Sequence, residues 1–128
     1  MSYHFTEEEL HSLYIAAHQF YETGDYKKAS EMFTVLAKAG PFEPHYWYGL
    51  ASSEQMQKKY RDALHAWGVV AILQTEDPMI HFHAAECLIS EGETKEAAKA
   101  LDLAEARVAQ NDSALREKIA LLKTLYTT

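Results

Sequence analysis

Met79-Ile80-His81-Phe82-His83-Ala84-Ala85-Glu86-Cys87-Leu88-Ile89-Ser90-Glu91-Gly92, slid back along the chain by 34 residues, lays Ala85 on Ala51, and a second step of 34 reaches Ala17. The same shift aligns Ala97 with Ala63 and Ala29. Alanine at these six sites marks places where two helices approach too closely for a larger side chain. Large apolar residues keep the same step: Phe33, Trp67 and Leu101 would fill the space between one unit and the next. Leu13, Trp47 and His81 form a further set, as do Tyr26, Tyr60 and Thr94, and in both the third unit is the weakest match.

Turn chemistry cuts the chain at the same places. Gly24-Asp25 and Gly92-Glu93 separate two helices within a unit, where glycine tolerates positive φ; the second unit has Lys58-Lys59 there instead. Gly40-Pro41 and Asp77-Pro78 separate units, with Asp77 as N-cap and Pro78 at the first helical position. Upstream, Thr6 and Glu9 form a capping box, and Phe5 pairs with Leu10 as a hydrophobic staple, so the first helix should begin near Glu7. Downstream, Asn111-Asp112-Ser113 breaks the pattern. Leu115, Ile119, Leu122 and Tyr126 then form one helical stripe, which reads as a cap over the open end of a stack.

A period of 34 with a helix-turn-helix in each unit is the signature of the tetratricopeptide repeat. The expected fold is therefore all-α: a short arm (1–9), three repeats (10–43, 44–77, 78–111) and a capping helix (112–126). Seven helices would form a right-handed solenoid with a concave inner face.

Bulk properties exclude several function classes. With 128 residues the chain suits one domain. A net charge of -7 argues against nucleic acid, whose binders cluster Lys and Arg to displace counterions. Cys87, the one cysteine, lies in an apolar helical pattern and reads as a small buried residue, as suits a reducing cytoplasm. Met1-Ser2-Tyr3-His4-Phe5 lacks the features of a secretory signal, and no apolar run approaches the ~20 residues that span a bilayer, so no membrane insertion is expected.

Seven histidines invite a metal or catalytic reading, which their spacing does not support. His81 and His83 point to nearly opposite sides of a helix, and His11 and His18 share a face but lie two turns apart. His83 and Glu86 stand three apart on one face, the arrangement of a structural hydrogen-bonded pair. Phosphate loops, nucleophile elbows and His-Glu-x-x-His runs are absent, so neither an enzyme nor a bound metal or cofactor is expected.

The repeat register instead directs attention to the inner face. It assigns His11, Tyr14, His18 and Tyr21 of the first unit to the groove, then His45, Tyr48, Ser52 and Gln55, then Met79, Phe82, Glu86 and Ile89. Core packing is the better reading for Phe33, Trp47 and Trp67, and the weaker one for Tyr14, Tyr21, Tyr48 and Phe82. An apolar groove marks a place where another chain binds, and tyrosine offers a rigid contact area with a polar tip. Clustered Lys and Arg, which would take an acidic C-terminus, are missing. An extended apolar peptide is the expected guest.

Leu13-Tyr14, Tyr21-Glu22-Thr23-Gly24-Asp25-Tyr26, Tyr48-Gly49-Leu50 and above all Phe82-His83-Ala84-Ala85-Glu86-Cys87-Leu88 resemble the class II chaperones of bacterial type III secretion systems, over roughly residues 10 to 110. The resemblance implies a non-enzymatic chaperone of the bacterial cytoplasm that holds hydrophobic translocator proteins before secretion, by an extended segment bound in the groove. By matching position, Tyr14, Tyr21 and Tyr26 correspond to aromatic groove residues of that family. His18 departs from it, since a bulky apolar residue is common there. Family members also carry a longer N-terminal extension that contributes to dimerisation, whereas nine residues precede the first unit here; a homodimer stays open. The competing reading is a generic tetratricopeptide scaffold in a secretion or regulatory complex.

Overall fold

The computed structural model describes residues 4–74 and 76–127. Met1, Ser2 and Tyr3 of the expected arm, with Thr75 and Thr128, lie outside the described residues. Among the described residues seven helices follow in order: α1 (Glu7–Glu22), α2 (Tyr26–Ala39), α3 (Pro44–Met56), α4 (Tyr60–Leu73), α5 (Pro78–Ser90), α6 (Thr94–Arg107) and α7 (Ser113–Tyr126). The fold is all-α. Each helix packs on the next, and α1 also touches α3.

Helix ends recur with the sequence period because the residues that make them do. Tyr26, Tyr60 and Thr94 open α2, α4 and α6; Glu22, Met56 and Ser90 close α1, α3 and α5. Thr6 and Glu9 make the capping box, each side chain accepting from the other's backbone N–H at 3.1 and 3.0 Å. Pro44 and Pro78 stand at the first helical position behind Glu43 and Asp77, whose carboxylates accept from the backbone N–H of His45 and Met79. Those acceptors satisfy N–H groups that a helix start leaves without an intrahelical partner.

The turn inside each unit is closed by one repeated hydrogen bond: Asp25, Lys59 and Glu93 donate their backbone N–H to the carbonyls of Phe20, Glu54 and Leu88 at 2.8, 2.9 and 2.8 Å. That closure needs the preceding residue in the left-handed region. Gly24 and Gly92 meet it at φ 86° and 77°, and Lys58 meets it at 62°. Lys58 thus does what glycine does in the other units, at a cost of about 1 kcal/mol. Lys58→Gly is expected to raise stability by up to about 1 kcal/mol, the gain trimmed by the freer unfolded chain. Urea unfolding of the two proteins measures it, and a less stable variant would contradict the turn geometry.

Ala17, Ala29, Ala51, Ala63, Ala85 and Ala97 are all fully buried, so the helices do close on one another at these six points. Phe33, Trp67 and Leu101 are buried between units. The remaining polar demand at the interior is met. Ser53 donates to the Gly49 carbonyl at 2.7 Å, and the Gln57 side-chain amide reaches Tyr26 O, Ser30 Oγ and Ser53 O at 3.1, 2.9 and 3.1 Å. Cys87 is fully buried, and burial, with the nearby charges of Glu86 and Glu91, pushes its thiol up to about 12. It is a small core residue and not a reactive one.

Trp47 packs against the core, as expected, while remaining half-buried, and its indole N–H donates to the Pro41 carbonyl at 2.8 Å. One expectation is corrected. On α7, Leu115 and Ile119 are buried and Leu122 packs against the same cluster, but Tyr126 is 48% exposed, so the last residue of the stripe does not cover the stack.

Candidate functional site: an aromatic groove

The groove is built where one unit meets the next. Residue 49 in α3 and residue 83 in α5 are equivalent by the 34-residue step, as are Phe33 in α2 and Trp67 in α4. In the first junction the equivalent pair is Gly49 and Phe33: a Cβ on Gly49 would collide with the Phe33 ring. In the second, His83 lies flat on Trp67 with ring centres 4.9 Å apart and planes 21° apart. A missing side chain on one side of a junction makes room for a ring on the other; a flat side chain stacks instead.

Around Phe33 stand further rings. Tyr14 and His18 meet it edge-on at 6.1 and 5.4 Å, and each other at 4.5 Å. Tyr48 stands edge-on to Trp67 at 4.9 Å and 87°. Edge-to-face contact adds about 1 kcal/mol per pair beyond simple burial and fixes ring orientation before any guest arrives.

Polar side chains tie the far end together. The Trp67 indole N–H donates to Gln55 Oε1 at 2.9 Å, Gln55 Nε2 donates to Glu86 Oε1 at 3.1 Å, and His83 Nδ1 lies 2.8 Å from that same oxygen. With the stacking of His83 on Trp67, the four side chains form a closed ring across α3, α4 and α5. The His83–Glu86 pair expected from their spacing is present.

These side chains enclose a cavity of about 570 Å3. Of the residues the register assigned to the inner face, Tyr14, His18, Tyr21, His45, Tyr48, Ser52, Gln55 and Glu86 line it. His11 lines two adjoining hollows, of about 470 and 540 Å3, that share Tyr14 with the cavity. Burial raises the pKa of Tyr14, Tyr21 and Tyr48 above the usual phenol range, with smaller additions from Glu43 at Tyr14, Tyr26 at Tyr21 and Asp77 at Tyr48. They keep their O–H at neutral pH and can donate to a guest's carbonyls.

The other assigned residues lie elsewhere. Phe82 is 7% exposed, in a second core with Ala85, Leu101, Leu115 and Ile119, and Met79 packs against the same cluster. The reason is α7: its buried face supplies Leu115 and Ile119 to the cluster that holds Phe82, so the third unit is closed where the first two are open. Ile89 is half-buried outside the cavity lining. Tyr26 begins α2 and meets Tyr21 edge-on at 5.2 Å, behind the lining.

Register reasoning also missed lining residues: Phe33 and Trp67, read as core, form the floor, and His83, Glu22, Gly49 and Met56 contribute. The available signal was the pairing of positions across units, Gly with Phe and His with Trp. Among the described residues no three His, Cys, Asp or Glu side chains gather as metal ligands.

A stack of 34-residue helical hairpins is a helical-repeat solenoid, and the tetratricopeptide-repeat model matches residues 8–41 and 44–77, more than half of the sequence. The chain belongs to the tetratricopeptide-repeat family. It is also similar to proteins with more specific descriptions. It is 33% identical over 104 residues, 81% of its length, to the low calcium response locus protein H of Yersinia pestis, and it spans 62% of that relative's length. Its fold matches the type III secretion chaperone SycD of Yersinia enterocolitica, solved in complex with a peptide of the translocator YopD, at a TM-score of 0.86, 28% identity and 91% coverage of each chain. It also matches PcrH of Pseudomonas aeruginosa in complex with the chaperone binding region of PopD, at a TM-score of 0.89, 25% identity and coverage of 99% and 97%.

Proposed function

We propose that this protein is a type III secretion chaperone that holds an extended, apolar segment of a hydrophobic translocator in the groove between Tyr14, Tyr21, Tyr48 and Trp67. The observation that carries the reading is the groove itself: half-buried rings with fixed orientation around a cavity of about 570 Å3, on a fold shared with proteins solved with translocator peptides. It acts by binding alone, in the bacterial cytoplasm, without a cofactor. Holding a membrane-seeking chain removes it from aggregation and premature insertion by mass action, which requires no nucleotide. No helix among the described residues is long and apolar enough to cross a membrane itself. The remaining assigned residues, including His11, His18, His45, Ser52, Gln55 and Glu86, would shape the ends and the polar wall of the site.

The test is affinity capture from the secreting bacterium with the wild type and with Tyr14→Ala, Tyr21→Ala and Tyr48→Ala combined, checked for folding by circular dichroism. Phe82 is left unchanged, since truncating it would open the second core. A protein with long apolar segments should be retained by the wild type and lost by the variant. Retention of a soluble folded partner, equally by both, would make the chain a scaffold and place binding outside the groove.

A further inference from the structure

The charge on the groove is one-sided. The cavity and the two hollows that continue it past Tyr14 are lined by the carboxylates of Glu7, Glu22, Glu43 and Glu86, and the described lining holds no lysine or arginine. Basic side chains are not scarce in the chain, at 12 against 19 acidic ones, so composition alone does not account for their absence from this lining. His45 Nδ1 lies 2.7 Å from Glu43 Oε1, and this hydrogen bond holds the Glu43 carboxyl below its ordinary value. At Glu86, the contacts from His83 and Gln55 both fall on Oε1, while a carboxylate accepts through two oxygens. Glu22 is exposed at the rim.

The aromatic walls favour the same sign. Tyr and Trp faces carry negative quadrupole density and attract a cation within about 6 Å of the ring centre. An acidic side chain entering here would be desolvated against carboxylates with no lysine or arginine in the described lining to receive it, which penalises it. The charges of Glu43 and Asp77 are felt by the tyrosines: besides burial, they push up the phenols of Tyr14 and Tyr48.

Resting on the groove reading above, we infer that the bound segment carries a lysine or arginine among its apolar residues, its cation lying over the tyrosine rings with Glu22 and Glu86 as counter-charges. Charge then sets which apolar segment is accepted.

The experiment is selection from a phage-displayed library of random peptides of about 12 residues, run on the wild type, on Glu22→Gln, and on Glu22→Gln with Glu86→Gln. Peptides selected by the wild type should be enriched in Lys or Arg at one position by roughly three- to tenfold and depleted in Asp and Glu. The enrichment should fall with the first variant, whose altered side chain is exposed and leaves the fold intact, and vanish with the second. Groove-bound peptides with no basic preference, or the same preference on both variants, would overturn the charge inference and leave the groove reading standing. Selected peptides that bind equally well after Tyr14→Ala, Tyr21→Ala and Tyr48→Ala would remove the groove reading and this inference together.

Discussion

Gly49→Ala is expected to destabilise the protein by about 2 kcal/mol, although the same change in an ordinary helix interior stabilises by roughly 1 kcal/mol. Gly49 lies within α3, and the added methyl would overlap the ring of Phe33. That ring is fully buried and is held edge-on by Tyr14 and His18, so it can yield only by giving up those contacts and moving into the groove. Overpacking of this kind costs about 1–3 kcal/mol, occasionally more, and it must exceed the helix gain before any loss is seen. Urea unfolding followed by circular dichroism gives the difference. A second substitution separates this cause from others: Phe33→Leu, harmful alone because it opens a cavity, should cost less in the Gly49→Ala background. The expected coupling is about 1 kcal/mol or more. Gly49→Ala as stable as the wild type, or strictly additive with Phe33→Leu, would mean that the two helices do not meet as described. The floor of the groove would then be wrong as well.

The second large effect is a dependence on pH at Glu54. This residue corresponds by the 34-residue step to Phe20 and Leu88, both half-buried apolar side chains, so a carboxylate stands where the other units place hydrocarbon. Burial is the main cause that pushes its carboxyl up, from an ordinary value of 4.5 to about 7; the negative charge of Asp62 adds to it and Lys59 opposes it. Below about pH 4.5 the group is protonated both folded and unfolded, and its contribution to stability is at its fullest. As pH rises towards 7 the unfolded chain releases the proton while the folded chain retains it, so stability falls; above 7 the loss is complete. Allowing for the solvent that still reaches the group, the loss is about 1–2 kcal/mol. Glu54→Gln removes the titration, so the variant should exceed the wild type by that amount at pH 8, with the advantage gone at pH 4.5. An advantage equal at both values would show that the charge is not what burial penalises.

Both effects bear on what could be read in advance. The turns at Gly24, Lys58 and Gly92 follow from local geometry: a left-handed residue between two helices is required at each, and only its identity varies. The alanine positions were legible for a similar reason, since a close crossing admits one size of side chain wherever it recurs. Tyr14, Tyr21 and Tyr48 could be assigned to the inner face because helical periodicity decides direction. Phe82 shares their register and still went into a core, because direction does not say what lies opposite.

By itself, then, the sequence determined the all-α repeat, the ends of its helices and the direction of most groove side chains. All of these depend on backbone geometry and on residues within one or two turns. Only the tertiary structure decided where the groove opens and where it is closed. Phe33 meets Gly49, Trp67 meets His83, and Leu115 and Ile119 join Phe82, each across a junction between units. Whether such a junction leaves a cavity depends on the volumes of both partners at once, which no periodic pattern within one helix contains.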